Sequence, residues 1–282
     1  MAGTIAVAVL VIAFVCVMAV AGVRLWMRRH GIRSFQTMAG RAWVIPSYDA
    51  GGEPTRVLRV SGANQSATYV GDTLWAATPS VYIQKFDLVF DAPIPVRNVL
   101  MLGGGGFSFP KQLVSTHPEA RVDVVEIDPT IVSLARRFFY LDRLVAEYDT
   151  EQTGRLQIFV QDACEYLRES QSVYDAVIND IFAGREPARE FLSSRTLELV
   201  RGHLKSGGIY AVNVVSPASG PKSQVLHDVV AACRGTFEYV AVASCSSCDE
   251  RDVDNRIVIA SDAPCEQIAR KWSAGVGKRQ AT

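Results

Sequence analysis

The sequence has 282 residues, enough for a membrane segment, one large domain and a small one. Its 29 basic and 29 acidic residues give a formal net charge of zero, and nothing in this balance suggests nucleic acid as an obligatory partner. Hydrophobic residues make up 49% of the chain, a high share for a soluble domain, and an apolar N-terminus accounts for part of it.

Residues 4–23 carry no formal charge, and a helix of this length can cross the hydrocarbon core of a bilayer. Arginines follow this run at positions 24, 28, 29 and 33, and no Lys or Arg precedes it. The run is too long for a signal peptide and lacks a basic n-region, which favours an uncleaved single-pass anchor over a leader or a buried helix. We therefore predict a membrane anchor with its basic flank over residues 1–30, a linker over residues 31–47, and a cytoplasmic C-terminal domain.

Six cysteines occur, at positions 16, 164, 233, 245, 248 and 265. Cytoplasmic cysteines are reduced as a rule. Cys245 and Cys248 have the spacing of half a zinc site or of a redox pair, but no second Cys or His pair stands nearby. We predict no metal and interpret the two as thiols in a loop.

A short, strand-like pattern occupies residues 48–95. Residues 56–60 and 67–70 read as strands separated by a turn over residues 61–64, and residues 81–90 alternate loosely between apolar and polar. The sequence predicts a small β-sheet domain here, which must pack on its neighbour because it is too small to be stable alone.

Strands and helices alternate over residues 96–282. Predicted strands occupy residues 98–102, 121–127, 156–160, 174–179, 209–215, 237–243 and 256–260, the last two close enough to pair as a hairpin. Predicted helices occupy residues 109–116, 129–140, 163–169, 189–204 and 222–233, with a charged connection over residues 142–154. This pattern predicts an α/β fold, a doubly wound and mostly parallel Rossmann-like sheet with a C-terminal hairpin.

Polar residues and glycines follow four of these strands. Because ligands of such sheets bind at the carboxyl ends of the strands, these residues form the candidate site. They are Gly103, Gly104, Gly105 and Gly106 after the first strand, Glu126 and Asp128 at the second, Asp162 after the third and Asp180 after the fourth.

The candidate ligand is a nucleoside. A dinucleotide fits only in part, since the Gly-x-Gly-x-x-Gly fingerprint falls on Gly103, Gly105 and Ser108. S-adenosylmethionine suits the acidic strand ends better. Its ribose diol can donate to Glu126, its adenine amine to Asp162, and its sulfonium can lie near Asp180. The structural alternatives are a solvated carboxylate at Glu126, a helix N-cap at Asp162 and a loop-ordering carboxylate at Asp180.

The chain resembles the spermidine synthase family of polyamine aminopropyltransferases, especially its membrane-attached branch. The resemblance rests on residues 62–65, 81–82, 99–105, 125–128, 161–162, 174–180 and 204–213, in the right order and spacing. It implies a small β domain before a methyltransferase-like Rossmann domain, and a decarboxylated S-adenosylmethionine donor that gives an aminopropyl group to a diamine. It also implies a donor site lined by Gln65, a ribose contact at Glu126, an adenine contact at Asp162, and catalysis by Asp180 assisted by Tyr82.

Three acids of the family are replaced. Gly106 stands where the glycine loop has an Asp that faces the donor ammonium, Ala183 stands where the catalytic loop has a second Asp, and Gln84 replaces an acid after the Tyr. An Asp at position 106 would repel the α-carboxylate of ordinary S-adenosylmethionine, whereas a glycine offers backbone N–H groups. These replacements favour S-adenosylmethionine over its decarboxylated form and weaken the case for putrescine, although Glu186 or Glu190 can partly substitute.

Three functions follow from this reading. The first is a spermidine-synthase-like transferase with an S-adenosylmethionine-type donor and an amine acceptor. The second is an S-adenosylmethionine-dependent methyltransferase, and the third a non-catalytic nucleoside-binding protein at the membrane. Expected partners are a small-molecule acceptor and the membrane, with no nucleic acid; a homodimer is left open.

Overall fold

The computed structural model describes residues 2–183, 186–246 and 249–274. Its first helix, α1, covers Ala2–Arg29 and carries Arg24, Arg28 and Arg29 in its last six residues. Within these described ranges, no helix has both the length and the apolar character needed to cross a membrane, so the predicted span is not confirmed.

An antiparallel sheet of four strands follows α1, in the order β1-β2-β3-β4. These strands are β1 (Arg33–Thr37), β2 (Gly40–Tyr48), β3 (Pro54–Val60) and β4 (Ala63–Tyr69). The linker predicted over residues 31–47 is therefore wrong, because this segment forms the first two strands of the sheet. Ala42 and Val44 of β2 are buried, and they pack beside Leu58 and Val60 of β3.

The segment predicted as strand-like over residues 81–90 is helical. It forms α2 (Val81–Lys85) and then a 3₁₀-helix over Phe86–Asp91. The buried residues Ile83, Phe86 and Val89 recur every third position, which is a helical spacing. The polar residues Gln84, Lys85 and Asp87 between them account for the loose alternation of the sequence.

The remaining strands, in chain order, are β5 (Asn98–Leu102), β6 (Arg121–Val125), β7 (Leu156–Phe159), β8 (Tyr174–Asn179), β9 (Phe182–Ala183), β10 (Glu186–Pro187), β11 (Leu204–Ser216), β12 (Tyr239–Ser244) and β13 (Asp254–Ser261). Seven of them form one mixed sheet in the order β12-β13-β11-β8-β5-β6-β7. The five strands from β11 to β7 are parallel, whereas β13 pairs antiparallel with β11 and β12. The predicted parallel sheet with a C-terminal hairpin is confirmed.

The helices of this part are α3 (Ser108–Thr116), α4 (Pro129–Phe138), α5 (Leu141–Tyr148), α6 (Thr150–Thr153), α7 (Ala163–Glu169), α8 (Ser194–Gly202), α9 (Gln224–Arg234) and α10 (Glu266–Ala274), with a 3₁₀-helix over Arg189–Leu192. The charged connection predicted over residues 142–154 contains most of α5 and all of α6, because Leu141 and Leu144 are buried on one helical face. The helix predicted over residues 189–204 is split at Ser193, whose side chain caps α8.

Both faces of the large sheet are buried. Along β5, Val99 and Met101 enter one apolar cluster, and Leu100 and Leu102 enter the cluster on the opposite face. A third cluster joins the small sheet to α4, with Leu58 and Val60 on one side and Ile131, Leu134 and Phe139 on the other. This packing places β4 and the turn between β1 and β2 beside the carboxyl ends of the parallel strands.

Candidate active site

A cavity of about 330 Å³ lies where the small sheet meets the carboxyl ends of β5, β6 and β8. Its wall includes eight of the ten residues predicted for the site, namely Gln65, Gly103, Gly104, Gly105, Glu126, Asp128, Asp162 and Asp180. Tyr82 joins the site through Asp180. The cavity therefore brings together residues that are up to 115 positions apart, from Gln65 to Asp180.

Glycine is required in this turn both because neighbouring atoms lie close and because the backbone adopts positive φ. Gly103 has φ +89°, and a Cβ there would lie 2.8 Å from the carbonyl oxygen of Asp180. Gly105 has φ +49° and lies half-buried at the cavity wall. A side chain at Gly103 would push the Asp180 loop away from the end of β5.

Gly106 differs from the expectation. It is buried, does not line the cavity, and a Cβ there would lie 2.6 Å from Ser66 Oγ and 3.1 Å from Phe139. A side chain at position 106 would collide with Ser66 of β4 and with the ring of Phe139. In this fold Gly106 is therefore needed for packing, and the predicted contact of its backbone with an anionic donor tail has no support from this placement.

Phe107 is a residue that sequence reasoning missed. It adopts the left-handed conformation (φ +56°) although it is not a glycine, and its ring is fully buried beneath Gly104. A Cβ on Gly104 would lie 2.8 Å from that ring, so Phe107 fills the space under the glycine turn. Its φ is one that L-residues other than Asn and Asp rarely adopt, and the ring packing offsets this strain.

Glu126 supports the turn from the end of β6. Its Oε2 accepts hydrogen bonds from the N–H groups of Gly104 and Gly105, both at 3.0 Å, and its Oε1 accepts one from Asp128 N–H at 3.0 Å. Burial raises the pKa of Glu126, and these three backbone hydrogen bonds act in the opposite direction. A carboxylate has about four lone-pair positions, so one stays available for a ribose hydroxyl in the cavity.

Asp128 and Asp162 both cap helices. Asp128 Oδ1 accepts from Thr130 N–H at 2.8 Å at the start of α4, and its Oδ2 accepts from Met38 N–H at 2.6 Å in the turn between β1 and β2. Asp162 Oδ1 accepts from Glu165 N–H at 3.0 Å at the start of α7. Both side chains line the cavity, but both oxygens of Asp128 are used by backbone groups, which makes its main role the attachment of the small sheet.

Asp180 lies at the centre of a polar network. Its Oδ1 accepts a hydrogen bond from Asn213 Nδ2 at 2.8 Å, and its Oδ2 accepts one from the Tyr82 hydroxyl at 3.4 Å. Burial raises the pKa of Asp180 to about 7, while the hydrogen bonds from Asn213 and Tyr82 partly oppose this. Burial, together with Asp180, raises the pKa of Tyr82 well above its usual value. The structure thus pairs the two predicted catalytic residues and places a carboxyl that titrates near neutral pH at the cavity wall.

Asn213 was not among the predicted site residues. It lies on β11 and is 2% exposed, and its Oδ1 accepts from Asn255 Nδ2 of β13 at 2.9 Å. A buried Asn close to the carboxyl end of a parallel strand was the available signal, but strand order alone decides that β11 lies beside β8.

Glu186 and Glu190 were considered as substitutes for the missing acids of the family, and the structure does not place Glu190 beside Asp180. Glu190 lines the cavity near Cys164, whose pKa is raised by burial and then by Asp162 and Glu190. It therefore lies at the Asp162 end and not beside Tyr82. The side chains of Ala183 and Glu186 lie outside the described residues, and Gln84 is exposed and donates to the carbonyl of Thr78.

The described residues contain no group of three or more His, Cys, Asp or Glu side chains that can hold a metal ion. Cys245 is buried, and burial raises its pKa to about 12, whereas Cys248 lies outside the described residues. The wall of the cavity offers the carboxylates of Glu126, Asp162 and Asp180, which suit an organic ligand with hydroxyl and amine donors.

Comparison with known proteins places this arrangement in a family. The spermine/spermidine synthase domain matches residues 87–246, more than half of the chain. The chain belongs to this family. That match covers the glycine turn, Glu126, Asp162, Asp180 and Asn213, and it leaves Gln65 and Tyr82 outside.

Similar proteins carry names consistent with this family. The chain is 30% identical over 149 residues to a spermine synthase of Arabidopsis thaliana, covering 52% of this chain and 39% of that protein. It is 28% identical over 141 residues to a polyamine aminopropyltransferase of Vibrio vulnificus, covering 49% of this chain and 44% of the relative. The chain thus spans less than half the length of these curated relatives.

The fold is similar to that of solved structures. A probable spermidine synthase from Corynebacterium glutamicum superposes with a TM-score of 0.66 over 82% of this chain and 80% of that one, at 22% identity. This likeness confirms the fold, a methyltransferase-type Rossmann domain with a small β-sheet in front of it.

Proposed function

We propose that this protein is an aminopropyltransferase-like enzyme that binds an adenosyl sulfonium donor and transfers a group from it to an amine. The observation that carries this proposal is the position of Asp180. It lines the same cavity as Glu126 and the glycine turn, and it contacts Tyr82. A base beside a nucleoside site is the arrangement that a displacement on a sulfonium requires.

The nucleoside would lie along the ends of β5, β6 and β7. Glu126 retains an acceptor position for the ribose diol, and Asp162 lies at the start of α7 where it can accept from the adenine amine. Gln65 lines the cavity on the side of the small sheet. The reacting carbon would then point towards Asp180, because Gly103 holds the Asp180 loop against the end of β5.

The transfer balances with Asp180 as the proton acceptor. An ammonium group of the acceptor gives one proton to the ionised Asp180 and becomes a neutral amine. The amine nitrogen attacks the carbon bound to sulfur, the C–S bond breaks, and its electron pair leaves with sulfur as a neutral thioether. The new C–N bond leaves the positive charge on the product nitrogen.

A methyltransferase is the second candidate, and the charge around Asp180 favours it. Of the carboxyl side chains on the described cavity wall, Asp180 is the one beside Tyr82, while Glu126 and Asp128 bind backbone groups and Glu190 lies near Cys164. A decarboxylated donor brings an ammonium tail, and a diamine brings a second ammonium. A single free carboxylate can neutralise one ammonium group. It therefore suits ordinary S-adenosylmethionine with a singly charged acceptor better than a decarboxylated donor with a diamine.

Binding and product analysis separate these functions. Calorimetry with S-adenosylmethionine and with its decarboxylated form shows which donor is preferred. Incubation of putrescine with decarboxylated S-adenosylmethionine yields 5′-methylthioadenosine if an aminopropyl group moves. Incubation with S-adenosylmethionine yields S-adenosylhomocysteine if a methyl group moves. We expect Asp180→Asn to bind the donor normally and to lose turnover. The matched control is Asp142→Asn, which changes an exposed acid that does not line the cavity. Absence of binding by both donors contradicts both candidates.

The membrane location, the cytoplasmic orientation and the homodimer stay predictions. Carbonate extraction of membranes from cells expressing the full chain tests the first: an integral protein stays in the pellet. Light scattering of the purified chain gives its oligomeric state.

A further inference from the structure

The Asp180 carboxylate ends a chain of hydrogen bonds from two asparagine side chains. Asn213 donates to Asp180 Oδ1 at 2.8 Å, and Asn255 donates to Asn213 Oδ1 at 2.9 Å. The three residues come from β11, β13 and the end of β8, which are neighbours in the large sheet. The network is therefore built on strands, which hold side chains more rigidly than loops do.

The orientation of both amides follows from charge. An ionised carboxylate only accepts hydrogen bonds, so Asn213 must turn its NH₂ group towards Asp180. Its oxygen then faces Asn255, which must donate in turn. Because Asn213 is 2% exposed, water does not compete for either group. Asp180 on one side and Asn255 on the other thus hold the Asn213 amide in this one orientation.

The second oxygen of Asp180 has a different surrounding. The Tyr82 hydroxyl lies 3.4 Å from Oδ2 and 3.5 Å from the carbonyl oxygen of Gln65. One hydroxyl has one proton and can serve only one of these acceptors at a time. When Oδ2 is ionised, Tyr82 donates to it; when Oδ2 carries a proton, Tyr82 can accept that proton's hydrogen bond and donate to Gln65.

We propose that Asn213, oriented by Asn255, is a positioning residue that holds Oδ1 of Asp180, so that Oδ2 is the oxygen that takes the proton from the acceptor. This inference rests on the proposed function for the acceptor, but the arrangement of the carboxyl can be tested without any reaction. Oδ1 keeps its hydrogen bond in both protonation states. Tyr82 reorients its hydroxyl as Oδ2 gains or loses the proton, and no heavy atom has to move.

The test is a titration of the full chain labelled with ¹³C at the aspartate carboxyls, with the Asp180 signal assigned from Asp180→Asn. The variants are Asn213→Leu, Asn255→Ala and, as a matched control, Asn98→Leu at the amino end of β5, away from the cavity. Removal of the Asn213 donor should raise the midpoint of Asp180 by about one pH unit, because the ionised form loses a hydrogen bond. Asn255→Ala should shift it in the same direction by less, and Asn98→Leu should leave it unchanged.

Where turnover is measurable with decarboxylated S-adenosylmethionine and putrescine, Asn213→Leu should lower kcat and leave donor affinity within twofold. The acidic limb of its pH profile should move to higher pH, since Asp180 must be ionised to accept a proton.

A folded Asn213→Leu variant with an unshifted Asp180 titration overturns the proposal. If Asn213→Leu does not fold, Asn255→Ala decides, because Asn255 is only half-buried: an unchanged midpoint there overturns the proposal equally. Absence of turnover with a shifted titration contradicts only the proposed function.

Discussion

Gly103 lies directly against the backbone of Asp180: a Cβ on Gly103 would be 2.8 Å from the Asp180 carbonyl oxygen and 3.1 Å from its carbonyl carbon. The turn after β5 and the loop that begins with Asp180 after β8 are thus in contact through their main chains. The N–H of Asp180 also donates to the carbonyl of Leu102 at 2.9 Å. The position of the candidate base therefore depends on a residue that has no side chain.

Gly103→Ala should lower the free energy of unfolding by about 2 to 4 kcal/mol, as the sum of an unfavourable φ and a backbone collision. The matched control is Gly52→Ala, since Gly52 has φ +87° and no atom within 4 Å of its added Cβ. That variant should cost about 1 kcal/mol. Urea unfolding of both variants gives the difference in their free energies of unfolding. Equal losses of stability would show that the collision of the new Cβ with the Asp180 backbone has no cost.

Asp180→Asn should stabilise the protein at pH 8. The folded-state pKa of Asp180 is raised to about 7 from 3.8, so the folded chain binds more protons than the unfolded chain between these values, and stability falls as pH rises from 4 to 7. The amide removes this cost, because its oxygen can accept from Asn213 and its NH₂ can face Tyr82. We expect a gain of roughly 2 kcal/mol at pH 8, discounted because Asp180 is half-buried.

That gain should disappear near pH 4, where Asp180 is protonated in the folded protein and its charge no longer has a cost. Chemical denaturation at pH 4.5 and pH 8 measures both values. An equal difference between variant and wild type at the two pH values contradicts the raised pKa.

Lys111 should make the stability of the protein rise with pH, the opposite of the effect of Asp180. Its ammonium is fully buried, donates to Thr68 Oγ1 at 2.7 Å and to the carbonyl of Trp75 at 3.0 Å, and lies 5.7 Å from the ring centre of Tyr140. Burial, with a contribution from Arg56, lowers the pKa of Lys111 from 10.5 to about 7. Above pH 7 the unfolded chain binds more protons than the folded one, so stability should rise with pH.

The rise should be about 1 to 2 kcal/mol between pH 7 and pH 8.5, a window above the Asp180 titration. Lys111→Met keeps the length of the side chain and should remove this rise. Its cost at pH 7, from the lost hydrogen bonds to Thr68 and Trp75, is measured in the same urea series. A variant with the wild-type pH dependence would show that Lys111 stays charged.

Asp128→Asn should loosen the turn between β1 and β2. The amide can still cap α4 through its oxygen, but its NH₂ group then faces the N–H of Met38, which loses its acceptor. We expect a loss of about 1 to 2 kcal/mol and faster hydrogen exchange at the Met38 amide. Asp162→Asn, which alters a cap on α7 and has no bond to the small sheet, should leave Met38 exchange unchanged.

The large sheet and much of the site were predictable from local patterns. β5 and β8 coincide with their predicted strands, and Pro129 with Asp128 marks the start of α4 as expected. The position of Glu126, Asp162 and Asp180 follows because parallel strands present their carboxyl ends at one edge. The strands β1 and β2 were missed because residues 33–48 mix apolar and polar residues without regular alternation. Their packing against β3 and α4 forms only on folding.

The role of Gly106 was not predictable in the same way. The sequence shows a glycine where relatives are expected to have an acid, and this suggests a change in the ligand. The fold shows a second reason for the glycine, since Ser66 and Phe139 occupy the space that a side chain would need. Sequence distance hides this contact, because Ser66 lies 40 positions before Gly106.

The sequence by itself determined the alternation of strands and helices, the glycine turn and the acids at the strand ends, because each depends on neighbours a few positions away. Only the tertiary structure decided that Asn213 and Asn255 stand behind Asp180, that Tyr82 faces it, and that Asp128 holds the turn at Met38. These contacts join the turn between β1 and β2, α2, β8, β11 and β13, and two of them span 90 residues or more. Strand order and the packing of the small sheet create them. The presence of acids at the strand ends could be predicted from the sequence. Their protonation and orientation could not, because these depend on burial and on hydrogen bonds that form on folding.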